Sequence, residues 1–238
     1  MAVHPVAVKG YTANSDVFAR GRPDYPPALA DWLREDLALR PGKIALDLGS
    51  GTGKFLPTLQ STGATVVAVE PVDAMRARLI ERNPGVEAMA GSAEHIPLVD
   101  RSVDAVVCAQ SFHWFAHRRA VAEIHRVLKP GGFLGLVWNV RDESIPWVSE
   151  ITAIIAPYAD EAPRYGTQDW RMLFPVEGFS TLVEQDFAHE HTGSPEQVVV
   201  DRVLSISFIA ALPLARQDEI AARLRRLIAD TPELASKG

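Results

Sequence analysis

One cysteine, Cys108, stands in 238 residues, so no intrachain disulfide can form and the chain suits a reducing compartment. It lies in the apolar run "DAVVCAQ", where a buried inert thiol is expected and a nucleophile is not. No apolar stretch approaches the ~20 residues of a membrane-spanning helix. The opening "MAVHPVAVKG" lacks the charged-then-apolar order of a secretory signal. A cytoplasmic protein with no membrane partner is therefore expected. Long basic runs are also missing. There are 24 Lys and Arg against 30 Asp and Glu, a net charge of −6. The short clusters Arg118-Arg119 and Arg223-Leu224-Arg225-Arg226 read as solvated helix faces, which argues against a nucleic-acid surface. Internal repeats and low-complexity tracts are absent. What remains, 47% hydrophobic and 23% charged residues, is the composition of an ordinary globular protein. The length suits one sizeable α/β domain, or a domain plus a small lid.

From residue 43 to 139 the pattern alternates. "KIALDL", "ATVVAVE", "VEAMA", "SVDAVVCAQ" and "FLGLVWN" read as strands. Between them, a helix from about Gly53 to Leu59, "DAMRARLIER" and "HRRAVAEIHRVL" read as helices, the last stopped by "KPGG". This order predicts a doubly wound, mostly parallel sheet with helices on both faces. Ligands of such sheets sit beyond the carboxyl ends of the strands, at the switch point. Before this region, "PALADWLREDLAL" predicts a helix. After residue 140, "SIPWVSEITAIIAPYA", "PEQVVVDRVLSISFIAAL" and "RQDEIAARLRRLIAD" read as helices, "EAPRYGTQDWRMLFPVEGF" as an insertion, and "STLVEQDFAHEH" as one further strand.

"ALDLGSGTGKF", residues 45 to 55, carries Gly49, Gly51 and Gly53 behind a strand. A nucleoside-triphosphate loop would need Gly at position 48 and Ser or Thr at 55, where Leu and Phe stand. A dinucleotide fingerprint would need its third glycine at 54, where Lys stands. Asp47, on the strand before the glycines, would repel a pyrophosphate but suits a ligand with an ammonium group. Glu70, ending the second strand, can accept from both hydroxyls of a ribose. An adenosine joined to an amino acid satisfies both carboxylates, and S-adenosyl-L-methionine is such a ligand. Alone, each acid could equally cap a neighbouring loop.

Four segments in order resemble the class I S-adenosylmethionine-dependent methyltransferases: "LDLGSGTGK", "VVAVEP", "GSAEHIPLVDRSVDAVVCAQ" and "HRVLKPGG". The resemblance implies a Rossmann-like fold and a single methyltransferase domain over 1–238. In it, 1–40 would be an N-terminal lid and helix, 41–140 the cofactor core, and 141–238 a lid insertion with C-terminal helices. By position it implies Asp47 at the methionine amino group and Gly49, Gly51 and Gly53 along the methionine. Glu70 would hold the ribose, Ser92 and Ala93 would flank the adenine, Ala93 by its N–H, and Gln110 would sit at the methionine end. A helix N-terminus after Gly53 would favour the methionine carboxylate.

"QSFHWFAHRR" follows the fourth strand and so lies at the mouth of the site. With "RPDYP" at 22 to 26 it is similar to a small-molecule subgroup that includes trans-aconitate methyltransferase. The implied reaction is in-line displacement at the sulfonium methyl, with a small-molecule acceptor. His113 is the candidate catalytic base, since imidazole titrates near neutrality; ordering the loop by a backbone bond is an equal alternative. Trp114, Phe115, Asn139, Tyr25 and Arg22 are candidates for the acceptor pocket. Arg22 could pair an anionic substrate, the cofactor carboxylate or a surface acid. No metal is expected: His113 and His117 lack a third ligand, and "HEH" at 189 to 191 reads as solvated. Two other readings stay open, a non-catalytic S-adenosylmethionine-binding module and an NAD(P)-dependent oxidoreductase. The family's sheet ends with two further strands; "STLVEQDFAHEH" could supply one, and "TPELASKG" is too short for the other.

Overall fold

The computed structural model describes residues 21–159 and 163–235. The irregular and lid readings for residues 1–20 lie outside them. The chain divides into two compact units. The first holds Asp24–Trp138 and Pro163–His189; the second holds, among the described residues, 21–23, 139–159 and 190–235.

In the first unit, α1 (Ala28–Glu35) precedes a five-stranded sheet. The order of elements is β1 (Ile44–Leu48), α2 (Leu56–Gln60), β2 (Thr65–Val69), α3 (Asp73–Arg82), β3 (Glu87–Met89), β4 (Val103–Ala109), α4 (Arg118–Val127) and β5 (Leu128–Val137). The sheet order is β3-β2-β1-β4-β5, and every pairing is parallel. The doubly wound Rossmann-like fold read from the alternation is thus the observed one.

Strand residues alternate between two cores, as a period of two requires. Leu46, Leu48, Val67, Val69, Val106 and Cys108 join α4 on one face. Ala45, Val66, Ala68, Ala105 and Val107 join α1, α2 and α3 on the other. Asp47 shares the parity of Ala45. It is flanked in register by Ala68 on β2 and Val107 on β4, so an acid stands in the most buried strand of the sheet.

Asp104 anchors the opposite edge. It accepts from Lys43 Nζ at 3.0 Å, Lys129 Nζ at 2.7 Å and the Ile44 N–H at 3.0 Å, tying the starts of β1, β4 and β5. Two cations and an N–H hold its carboxyl down to about 2, against the cost of its desolvation.

Three expectations change. The helix after the glycines begins at Leu56 and runs only to Gln60, because residues 51–55 are spent in turns. No strand forms over 180–191: Val183 is 92% exposed, and Phe187 alone of that segment packs on the α1 face. The helix before "KPGG" stops at Val127. Leu128 already pairs with Val103, and the ladder resumes at Ala105 with Phe133, so the four intervening residues loop out. The expected insertion forms short 3₁₀ turns, Tyr165–Thr167 and Asp169–Leu173, that seat Trp170 on the β4–α4 core.

The second unit has its own core. α5 (Pro146–Ile155) contributes Ile151, Ile154 and Ile155, and α6 (Leu214–Asp230) contributes Ile220 and Leu224. Between them, a π-helical turn at Glu196–Asp201 runs into Arg202–Leu204 and adds Val199, Val200 and Val203.

Candidate functional site

The sheet order reverses between β1 and β4, so the carboxyl ends of these two strands frame the switch point. The loop leaving β1 turns at once. Gly49 N–H donates to the Val69 carbonyl at 2.8 Å, and Gly53 N–H to the Ser50 carbonyl at 2.9 Å. Gly49, Gly51 and Gly53 have φ of +73°, +57° and +78°, the left-handed region that glycine enters without a steric cost. A Cβ on Gly49 would also lie 2.7 Å from Ser111 Cβ, and one on Gly53 2.5 Å from Asn83 Nδ2. Both sites need glycine twice over.

Glu70 holds this loop. Its Oε2 accepts from the Gly51 N–H at 2.8 Å and its Oε1 from the Val72 N–H at 2.9 Å, at the start of α3. Arg76 reaches back to the Glu70 carbonyl at 3.0 Å. Burial pushes the Glu70 carboxyl up, while the two N–H donors and Arg76 oppose that shift. Glu70 therefore clamps the glycine turn, the loop-capping role weighed for it as an alternative from the sequence. Each oxygen has further acceptor capacity for a ribose hydroxyl.

Asp47 is different. It is 1% exposed, and neither carboxylate oxygen has a hydrogen-bond partner among the described residues. Ser50 Oγ donates to the main-chain carbonyl of Asp47 at 2.7 Å. Desolvation first, then the charge of Glu70, raise the Asp47 carboxyl to about 7, with the Ser50 hydroxyl offsetting only part. Thr52 Oγ1, in the middle of the glycine loop, is likewise buried without a partner. Buried polar atoms are seldom left so. Three such oxygens from Asp47 and Thr52 fit a polar ligand carrying an ammonium group, which only a carboxylate can neutralise. Thr52 was not among the residues expected from the sequence; a polar side chain between two glycines was the available signal.

At the end of β4, Gln110 adopts φ +59°, uncommon for a residue with a Cβ, and its N–H closes on the Val137 carbonyl at 2.8 Å. This turn sends residues 111–115 across the glycine loop. Ser111 Oγ donates to the Leu48 carbonyl at 2.7 Å, and the Phe115 ring lies 3.5 Å from where a Gly49 Cβ would be. Phe112 is wholly buried and meets Phe115 edge-on at 5.7 Å. His113 Nδ1 accepts from Trp138 Nε1 at 3.2 Å, and the His113 and Trp114 rings lie 5.1 Å apart. The Trp138 indole thus helps to order the His113 ring.

Ser92 and His95 pair main chain to main chain, at 3.3 and 3.1 Å. The Ala93 methyl is buried in the β4–α4 core, and the Ser92 hydroxyl bonds Glu94. His117 caps α4 through Nδ1, at 3.3 Å from the Ala120 N–H, and meets Glu94 with Nε2 at 3.0 Å. Arg126 ties the rest of the segment down: it bonds Glu123, Asp100 and the carbonyls of Ile96 and Leu98.

Tyr25 stacks edge-on against Phe55 at 4.7 Å, just past the glycines, and Lys54 pairs with Asp24 at 3.2 Å. Arg22 and Asn139 belong to the second unit. There Arg22 Nη2 donates to the Ser205 carbonyl at 2.9 Å. The first unit thus brings together Asp47, the three glycines, Glu70 and Gln110, with Phe115 beside Gly49 and His113 on the same short segment. Among the described residues no group of three His, Cys, Asp or Glu side chains is placed to hold a metal.

A family model described as a methyltransferase domain matches residues 46–136. The chain is 38% identical over 226 residues to an uncharacterized methyltransferase-like protein of Schizosaccharomyces pombe, covering 94% of this chain and 88% of that one. It is 42% identical over 219 residues to the uncharacterized methyltransferase Rv3342 of Mycobacterium tuberculosis, covering 92% and 85%. A solved protein of Anaeromyxobacter dehalogenans, proposed to be a type II methyltransferase, superposes with a TM-score of 0.62 at 27% identity, over 87% of this chain and 89% of that one.

Proposed function

The chain belongs to the class I S-adenosylmethionine-dependent methyltransferases, and on that premise we propose that it transfers the sulfonium methyl to a small-molecule acceptor, in the manner of the subgroup resembling trans-aconitate methyltransferase. The observation that carries the cofactor half of this reading is the buried, unpartnered Asp47 carboxylate beside a left-handed glycine turn. The cofactor supplies a methyl on a positively charged sulfur, already activated for displacement. Asp47 would take its ammonium group. Glu70 would accept from its ribose while keeping its own bonds to Gly51 and Val72. The Ser92–Ala93 turn would bound the adenine, and Gln110 the methionine end.

The protein's share of the chemistry is then mostly alignment: holding an acceptor atom in line with the methyl and excluding water, which lowers the barrier by removing motional freedom. Residues 111–115, tied to β1 by the Ser111 bond, would serve this. Phe115 and Trp114 would wall the acceptor, with His113 as the polar contact, and Tyr25, Arg22 and Asn139 are proposed for the acceptor side. Calorimetry tests the cofactor half: S-adenosylhomocysteine should bind and NAD should not. Transfer of labelled methyl to a panel of metabolites tests the acceptor half. His113→Ala should reduce turnover while leaving S-adenosylhomocysteine affinity within about twofold; equal loss of both, or of neither, removes His113 from the acceptor site.

A further inference from the structure

The segment proposed to flank the adenine hangs on α4. Ser92 and His95 close a tight turn by main-chain bonds in both directions, with Ala93 and Glu94 at its tip. Ala93 is buried in the core beneath, and a Cβ on Gly91, just before the turn, would lie 2.6 Å from Pro97 and 3.1 Å from Val69. Beyond the turn, the Ile96 N–H donates to Glu123 at 3.1 Å, and Arg126 donates to the carbonyls of Ile96 and Leu98 at 3.0 and 2.8 Å. Glu123 and Arg126 lie in the second half of α4. At the start of the helix the tie is His117, whose Nε2 lies 3.0 Å from Glu94 Oε1.

Both nitrogens of that ring are engaged, and the partners decide where its proton sits. A main-chain N–H can only donate. The Ala120 N–H bonds Nδ1 at 3.3 Å, as an N-cap requires, so Nδ1 keeps its lone pair. In the neutral ring the proton is then on Nε2, where it meets a carboxylate that can only accept. A second proton, on Nδ1, would abolish the cap. It would also put a cation at the positive end of a helix whose first turn carries Arg118 and Arg119 and no acid. Glu94 supplies the anion that this helix start lacks. Burial works against its charge, yet the Ser92 hydroxyl and His117 hold its carboxyl below the usual range.

The same residue ends a second segment of the site. The His117 N–H donates to the Phe115 carbonyl at 2.8 Å, directly after residues 111–115, which Ser111 ties to the end of β1. One imidazole therefore joins the start of α4, the turn at 92–95 and the segment beside the glycine loop.

We propose that His117 is a positioning residue for the adenine: a neutral imidazole that caps α4 through Nδ1 and, through Nε2–H, holds Glu94 and with it the Ser92–Ala93 turn in the binding geometry. This deepens the proposed function and rests on it for the place of the adenine; the two bonds of the imidazole belong to the free protein.

His117→Ser separates capping from bridging, because serine caps a helix well but is too short to reach Glu94. Its unfolding midpoint should stay within about 3 °C of wild type, while its affinity for S-adenosylhomocysteine falls about fivefold, the worth of one hydrogen bond. Glu94→Ala leaves the cap in place and should lose the same factor. The double variant should lose no more than either single one, since each removes the same bond. Glu94→Gln keeps an oxygen that accepts from Nε2–H and should bind within about twofold of wild type. Long-range proton–nitrogen correlation spectra of the full-length protein, with the His117 signals assigned by their loss in His117→Ser, should show Nε2–H in the ligand-free wild type at neutral pH. Nδ1–H or a doubly protonated ring overturns the proposal. So do wild-type affinity in Glu94→Ala, losses that multiply in the double variant, or a fivefold loss in Glu94→Gln, which would mark an ion pair with an imidazolium. Should His117→Ser not fold, the two Glu94 variants and the spectrum decide. Failure of S-adenosylhomocysteine to bind the wild type would instead strike the proposed function and leave the tautomer result standing.

Discussion

Asp47 and Asp104 share β1 and β4 or their edges and titrate in opposite directions, for opposite physical reasons. Asp104 is surrounded by donors and cations, and its carboxyl sits near 2. Its stabilising contribution is present above the ordinary carboxylate range and is lost as pH falls toward 2. Asp47 is buried with only the Ser50 hydroxyl to offset its desolvation and the charge of Glu70, and its carboxyl is raised to about 7. The folded protein then holds a proton that the unfolded chain has released, so free-protein stability falls as pH rises from about 4 to about 7, by a few kcal/mol. A ligand ammonium favours the ionised form. Below about 7, binding must first displace the Asp47 proton, so the affinity for S-adenosylhomocysteine should rise with pH up to neutrality and then level. Calorimetry in buffers of different ionisation enthalpy should record proton release at pH 6. Asp47→Asn should flatten both the stability profile and the binding profile, and weaken binding at pH 8 by more than tenfold. A binding profile with the same slope in wild type and Asp47→Asn would show that another group is titrating.

The glycine turn sorts its three positions by space. On Gly53 a Cβ meets Asn83 at 2.5 Å, Leu56 at 2.9 Å and Leu79 at 3.0 Å, in addition to the left-handed φ. On Gly51 it meets only the flexible end of Met75 at 3.5 Å. Gly51→Ala should therefore cost about 1 kcal/mol of stability, the conformational term alone. Gly53→Ala should cost about 2–4 kcal/mol, because backbone strain and overpacking add. Thermal or urea unfolding of the two variants gives the comparison, and equal losses would refute the contacts assigned to Gly53. The same segment shows how far sequence reading reaches. α3 is legible to its ends because Asp73 opens it and Asn83-Pro84-Gly85 closes it. The parallel strands are legible because they are apolar on both faces. α2 is misread because glycine signals a tight turn without saying how many residues the turn consumes. Residues 180–191 are misread because alternation alone cannot supply a neighbouring strand to pair with. Asp47 and the glycines stand out as candidates in the sequence from the clash of an acid with an expected phosphate loop. Capping of a neighbouring loop by Glu70 was open in the sequence as an alternative, but its target, 19 positions away, was not legible, nor was the Trp138–His113 bond across 25 positions.

For the molecule as a whole, the two units hold separate hydrophobic cores. Every residue proposed for the cofactor, Asp47 through Gln110, lies in the first unit, around the carboxyl ends of the central strands β1 and β4. Arg22 and Asn139 belong to the second unit. This division predicts that stability and cofactor affinity respond differently to damage in the second core. Leu224, wholly buried on α6 among Ile220, Val199 and Val203, is a suitable site. Leu224→Ala should cost about 2–5 kcal/mol, from lost burial plus the cavity left behind. Measured well below the unfolding transition, its affinity for S-adenosylhomocysteine should nevertheless stay within about twofold of wild type, because a folded cradle needs nothing from that core. Glu70→Gln is the converse case. It replaces one of the oxygens that accept from Gly51 and Val72 with an amide that can only donate there. It should weaken the ligand by more than tenfold while leaving the second core intact, so hydrogen exchange should rise around residues 49–53 and 70–72 and remain at wild-type rates along α6. If Leu224→Ala instead weakens cofactor binding tenfold in a protein still folded by hydrogen exchange, the assignment of the cofactor residues to the first unit alone is wrong.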